Sequence, residues 1–119
     1  MEAEHFEIAV DVAQAIHAAK AQRRRVVGVG TTAARALESS AGRHGGTVQA
    51  ETGETRLFIY PGFEFACLDG LLTNFHLSRS TLLMLVCAFA GRETILTAYQ
   101  EAINAKYRFY SYGDCMLIM

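Results

Sequence analysis

The stretch DGLLTNFHLSRSTLLMLVCAFAG, Asp69 to Gly91, decides how the rest of the chain is read. Its second half, Leu82 to Phe89, is an unbroken apolar run. Leu, Met and Ala favour helix. Ser78 or Ser80 can cap its start by accepting backbone N–H bonds, and Gly91 can end it in a left-handed conformation. A helix that is apolar all round is buried all round. About twelve helical residues reach only roughly 18 Å, short of the ~20 residues that a bilayer requires. The run is therefore predicted to be a central core helix. Burying its large side chains is worth about 10–15 kcal/mol gross, most of it offset by conformational entropy.

The first half has the opposite character. Asn74, His76, Ser78, Arg79, Ser80 and Thr81 crowd hydrogen-bonding groups at the start of the core helix. Free N–H groups and the positive end of the helix dipole point there. Capping accounts for Ser78, Ser80 and Thr81. For Asn74 and His76 a structural and a reactive role both stand.

The 119 residues have room for a single domain, predicted over 1–119. With 51% apolar residues and a net charge of −1, the chain is not expected to be disordered, nor to bind nucleic acid by bulk field. Cys67, Cys87 and Cys115 are odd in number and widely spaced. No pair has zinc-ligand spacing, and free thiols in a reducing cytoplasm are expected. The start MEAEHFEIAV lacks a basic segment and a cleavage pattern, so neither a signal peptide nor a membrane span is expected.

Working outward, His5 to Ile8 reads as a strand. Asp11 to Ala21 reads as a helix with Val12, Ala15, Ile16 and Ala19 at helical spacing. Val26 to Val29 reads as a buried strand closed by Gly30. Thr31 to Ser39 reads as a helix, across which Arg35 and Glu38 can pair. SSAGRHGG, Ser39 to Gly46, reads as a flexible loop. Thr47 to Ala50 is a weak strand, Arg56 to Tyr60 a stronger one, and Phe63 to Cys67 a third by alternation. Leu71 to Phe75 extends back into the sheet. Arg92 to Lys106 is an amphipathic helix with Ile95, Leu96, Tyr99, Ala102 and Ile103 as its stripe. The tail from Tyr107 to Met119 should pack as a strand or docked segment. The predicted class is α/β: a mixed sheet built around Val26–Val29 and Arg56–Tyr60, a buried central helix, and flanking amphipathic helices.

Three constellations can carry chemistry. Gly28-Val29-Gly30-Thr31-Thr32-Ala33 fits the G-x-G-x-x-G/A pattern between strand and helix. Glu51 is the one candidate for the acidic residue that a dinucleotide site needs; a tight structural turn explains the glycines equally. Thr31 and Thr32, with Arg35 one turn along, suit an anionic or carboxylate ligand. The second constellation is the Asn74, His76 and Arg79 mouth. The third is Tyr107 to Asp114, where Arg108 interleaves with rings that can stack on a base or fill a core.

VVGVGTTAARALES, PGFEFACLDGLLTNFHLSRSTLLMLVCAFAG and AYQEAINAKYRFYSYGDCMLI together resemble the C-terminal portion of the S-adenosylmethionine:tRNA ribosyltransferase-isomerase family of the queuosine pathway. The motifs come in the family's order and cover nearly everything from Val26 to Ile118. The family's pattern has Pro at Ser78 and commonly Ala at Cys115. The resemblance implies transfer of the ribosyl part of S-adenosylmethionine to an aminomethyl-deazaguanine at the tRNA wobble position. The ribose isomerises to give epoxyqueuosine tRNA, with adenine and methionine released. It further implies tRNA and S-adenosylmethionine as partners, the latter a substrate, with no metal and no true cofactor. Family members are considerably longer, so the chain is expected to be a piece whose N-terminal portion is a further partner.

Within the matched motifs, His76 is the expected proton-transfer group, its unperturbed pKa lying near neutrality. Asp114 and Glu38 are weaker candidates for the same task. Thr31, Thr32, Arg35, Asn74 and Arg108 are expected to bind substrate, and Tyr107 and Tyr110 to stack on adenine or the modified base. Other readings are a nucleotide-binding module using Gly28 to Ala33, or a tRNA-docking module without catalysis of its own.

Overall fold

In the computed structural model, which describes residues 3–76, 80–107 and 114–119, helices and strands alternate along the chain. β1 (Glu4–Ile8) leads to α1 (Val10–Ala21), β2 (Val27–Val29) and α2 (Thr31–Arg43). β3 (Glu51–Thr55) and β4 (Gly70–Asn74) precede α3 (Thr81–Ala90), α4 (Arg92–Asn104) and β5 (Cys115–Ile118). The class is α/β, with two sheets rather than one. β1 and β3 form an antiparallel pair. β2, β4 and β5 form the mixed sheet, β2 parallel to β4 and β5 antiparallel to it.

α3 is the predicted core helix. The Ser80 hydroxyl caps it by accepting the Leu83 N–H at 3.1 Å, and Gly91 ends it at φ +95°. Leu83, Leu85, Val86 and Cys87 are buried, and Met84 is the side left open. The backbone turns by 114° at Gly91 into α4, which buries Ile95, Tyr99 and Ala102 and leaves Leu96 and Ile103 exposed. Among the described residues no single helix is long and apolar enough to cross a membrane.

Several expected elements lie elsewhere. The stretch expected as a loop at Ser39–Gly46 continues α2 to Arg43, with Ser40 and Ala41 fully buried. Ser40 Oγ accepts the Gln49 N–H at 3.0 Å and donates to Glu51 at 3.0 Å, so a tertiary anchor holds the last helical turn. Neither Thr47–Ala50 nor Arg56–Tyr60 is a strand; the strand is the polar ETGET segment between them. Pairing with β1 makes it one: Phe6 lies opposite Gly53, and its ring occupies the space above the missing side chain. Arg56–Tyr60 buries Ile59 without joining either sheet.

Phe63–Cys67 is also not a strand, because its backbone donors have a different acceptor. The buried Glu38 carboxylate accepts the N–H groups of Ala66 at 2.6 Å, Cys67 at 2.9 Å and Leu68 at 2.8 Å. Glu38 and Arg35 therefore do not pair with each other. Arg35 turns inward to Glu4 at 2.9 Å, the Leu57 carbonyl at 3.1 Å and the Thr55 carbonyl at 3.4 Å. On α1 the buried side runs through Ala13 and Ile16, with Val12 and Ala15 exposed. The strand expected to be buried at Val26–Val29 buries only Gly28, whose missing side chain leaves room for Leu68.

Candidate functional site

Two of the three constellations meet at one edge of the mixed sheet. β2 and β4 run in the same direction, with Val29 opposite Leu72, and the Gly30 N–H donates to the Leu72 carbonyl at 2.8 Å. Gly30, Thr31 and Thr32 thus begin α2 beside the end of β4, where Asn74 and His76 follow. β5 brings a further group: Cys115 lies opposite Asn74, so Asp114 precedes it at the same edge. Ligands of open α/β sheets bind outside the carboxyl ends of parallel strands. Residues more than forty positions apart in the chain are gathered at such an edge.

β4 ends at Asn74, so strand alternation does not extend to His76. The His76 ring turns to Thr73 instead, with Nε2 and Thr73 Oγ1 2.8 Å apart, while Asn74 is exposed. The His76 backbone N–H donates to the Tyr99 hydroxyl at 2.8 Å. The ring is half-buried, and burial holds its pKa below the usual 6.5. Burial thus favours the neutral imidazole, the form that can accept a proton.

At the start of α2 the donors are backbone groups. Gly30 sits at φ +91° and ψ 154°, and no side chain caps the helix. Thr31 is half-buried and Thr32 exposed, with Thr32 Oγ1 3.4 Å from Glu4 Oε2. The same Glu4 carboxylate holds Arg35. An anion at this helix start would meet free N–H groups and the positive dipole end, and Glu4 would compete with it for Arg35. Glu51, the acidic residue the dinucleotide pattern would need, belongs to β3 in the other sheet and pairs with Ser40, Arg43 and His44.

Tyr107 stands edge-on to Phe75, their ring centres 6.1 Å apart, and is largely exposed. With Glu101, Ala102 and Met116 it lines a cleft of about 240 Å³, below the roughly 300 Å³ at which ligand pockets begin. Arg79, Arg108 and Tyr110 lie outside the described residues. Thr73 and Tyr99 did not stand out in the sequence. Thr73 carried one signal, its position three residues before His76 in LLTNFH; Tyr99 carried none beyond its place on a helical stripe.

The chain matches the family model described as "Queuosine biosynthesis protein" over residues 1–118. It is 60% identical over 119 residues to the S-adenosylmethionine:tRNA ribosyltransferase-isomerase of Heliobacterium modesticaldum, covering 100% of this chain and 35% of that protein. It is 59% identical over 118 residues to the protein of the same name from Acidithiobacillus ferrooxidans, covering 99% of this chain and 34% of that protein. The crystal structure of S-adenosylmethionine tRNA ribosyltransferase from Thermotoga maritima superposes with a TM-score of 0.89 at 44% identity, over 97% of this chain and 40% of that one. The chain thus spans about a third of the length of the curated relatives it matches.

Proposed function

The chain belongs to the queuosine biosynthesis protein family, and from that premise we propose that it is the C-terminal part of an S-adenosylmethionine:tRNA ribosyltransferase-isomerase. The observation that supports this most is the 60% identity to such an enzyme along the whole of this chain. The gathering of Gly30–Thr32, Asn74, His76 and Asp114 at one sheet edge supports the same reading. In it, residues 1–119 act as one domain that works together with the preceding portion of the enzyme.

The proposed substrates are S-adenosylmethionine and a tRNA carrying aminomethyl-deazaguanine at the wobble position; no cofactor beyond these is invoked. In the proposed reaction a proton leaves the carbon beside the sulfonium, adenine departs and takes up a proton, the aminomethyl nitrogen of the base bonds to the ribosyl carbon skeleton and loses a proton, and closure of the epoxide expels methionine. The half-buried His76 is proposed to carry a proton in this sequence. Asp114, which precedes Cys115 at the same edge, is proposed as a second group for proton transfer. Thr31, Thr32 and the N–H groups at the start of α2 are proposed to hold the methionine carboxylate or the ribose hydroxyls. Asn74 offers an exposed amide beside them. Tyr107 and Arg108 are proposed to meet a base, and Arg35 to bind substrate by exchange with Glu4 or to hold the start of α2 through it. Acting on tRNA, the enzyme would work in the cytoplasm.

The test is a fusion of this chain behind the preceding two thirds of the Heliobacterium modesticaldum relative. It is expected to release adenine from S-adenosylmethionine when precursor tRNA is present. A folded fusion that releases none would overturn the proposal.

A further inference from the structure

The mixed sheet has one covered face and one open face. Strand pairing places Gly28, Leu71 and Ile118 on one side, with Thr73 and Met116 following. That side is packed: Leu68 lies over Gly28, Leu71 and Thr73 are buried, and Met116 and Ile118 are half-buried. The opposite side carries Val27, Val29, Leu72, Leu117, Cys115 and Met119. There Val29 is 69% exposed, Leu117 60%, Met119 55% and Val27 40%. Met119 and Val27 both close over Gly70, where an added side chain would lie 2.8 Å from Met119 Sδ and 3.2 Å from Val27 Cγ2. The open side is thus a continuous apolar surface, not scattered single residues.

Parallel strand pairs are ordinarily covered on both faces, and contiguous exposed apolar surface marks an interface. β2 and β4 are such a pair with one cover missing. The curated relatives devote about two thirds of their length to sequence outside this chain. We propose that the open face of the β2–β4–β5 sheet is the seat of that preceding portion of the enzyme, which packs an apolar surface against Val27, Val29, Leu72 and Leu117. The inference rests on the reading of the chain as part of the longer enzyme. It adds a consequence for the site: Asn74 lies on the same face as Cys115, so the covering portion meets the Asn74 amide, while the His76 ring, turned to Thr73, stays on the packed side.

Cys115 is a built-in reporter, because it lies exposed on this face whereas Cys67 and Cys87 are buried. Iodoacetamide labelling of Cys115, followed by peptide mass spectrometry, compares the free chain with the fusion described above. The expected result is labelling slower by about tenfold or more in the fusion. Val29→Lys and Leu117→Lys replace side chains that are already largely solvated, so the free chain should keep its melting temperature. Both should lower that of the fusion. Equal labelling in the two proteins, or equal tolerance of the two lysines, would overturn the proposal. So would a free chain that forms a dimer which Val29→Lys dissolves while the fusion leaves Cys115 open, because a second copy would then be the occupant. None of these readouts uses turnover. A fusion that protects Cys115 but releases no adenine removes the activity alone, and an active fusion with Cys115 open removes the interface alone.

Discussion

The backbone N–H of His76 donates to the hydroxyl of Tyr99 at 2.8 Å, tying the segment after β4 to the middle of α4. Tyr99 is buried, its ring edge-on to Phe75 at 5.1 Å, and burial raises its phenol pKa while the bond from His76 opposes the rise. Tyr99→Phe keeps the ring and removes the acceptor. The half-buried His76 N–H then has no protein partner there, and a loss of about 1–2 kcal/mol in urea denaturation is expected. An unchanged midpoint would mean that the bond contributes nothing to the fold.

His76→Gln separates hydrogen bonding from proton transfer. The Gln amide can still reach Thr73 Oγ1, which His76 Nε2 meets at 2.8 Å. A proton-carrying His76 predicts a fall in adenine release by the fusion on the order of a hundredfold or more, with little change in melting temperature. Normal turnover, or a lost fold, would remove the assignment.

The same residue sets a pH dependence of stability. Burial holds the folded pKa of His76 below the ordinary 6.5. The unfolded chain therefore binds this proton more readily than the folded one. The contribution is fully present above pH 6.5 and is lost as pH falls from there toward the folded pKa. Asp69 acts lower: the Val26 N–H holds its pKa beneath the ordinary 3.8, with Lys20 adding to the effect, and its share is lost only below that value. Between about pH 7 and pH 5, the urea midpoint of the native chain should fall more than that of His76→Gln. Parallel profiles would show that other groups set the slope.

Ser80 and Gly91 bound α3 because capping depends on one or two neighbouring residues. What failed depended on distant partners. β3 is polar and becomes a strand only because β1 pairs with it. Ser39–Gly46 is rich in small residues, yet Ser40 is buried against Gln49 and Glu51, which no local pattern announces. Phe63 to Cys67 alternates like a strand, but the donors at Ala66 and Cys67 go to Glu38. At the site, Gly30–Thr32 and His76 were legible as motifs. Their meeting depended on the β2–β4 pairing, and Thr73 and Tyr99 gain their place only through His76.

Gly30 tests whether the turn into α2 is conformational or steric. At φ +91° and ψ 154° its backbone lies where side chains are strained, yet an added Cβ would meet nothing within 4 Å. Gly30→Ala should therefore cost about 1–3 kcal/mol from the backbone alone. Calorimetric melting of the free chain measures it. A neutral substitution would show that the turn relaxes without loss.

Glu38 carries the last prediction. Its side chain is buried, and both carboxylate oxygens face donors: Oε1 accepts Ala66 at 2.6 Å and Cys67 at 3.3 Å, and Oε2 accepts Cys67 at 2.9 Å and Leu68 at 2.8 Å. Hydrogen bonds to a charged acceptor are the stronger kind. Glu38→Gln preserves the shape but replaces one acceptor oxygen by an amide that itself donates. Whichever way the amide turns, an N–H of the 66–68 segment faces another donor. A loss of about 2–4 kcal/mol is expected in urea denaturation. A second readout follows from Cys67, whose thiol pKa is pushed up to about 11 by burial and then by the Glu38 charge. In the native chain Cys67 should resist iodoacetamide. In Glu38→Gln it should label faster as the 66–68 backbone loosens. Native-like stability together with unchanged Cys67 labelling would show that the segment is held by its apolar neighbours and not by the buried carboxylate.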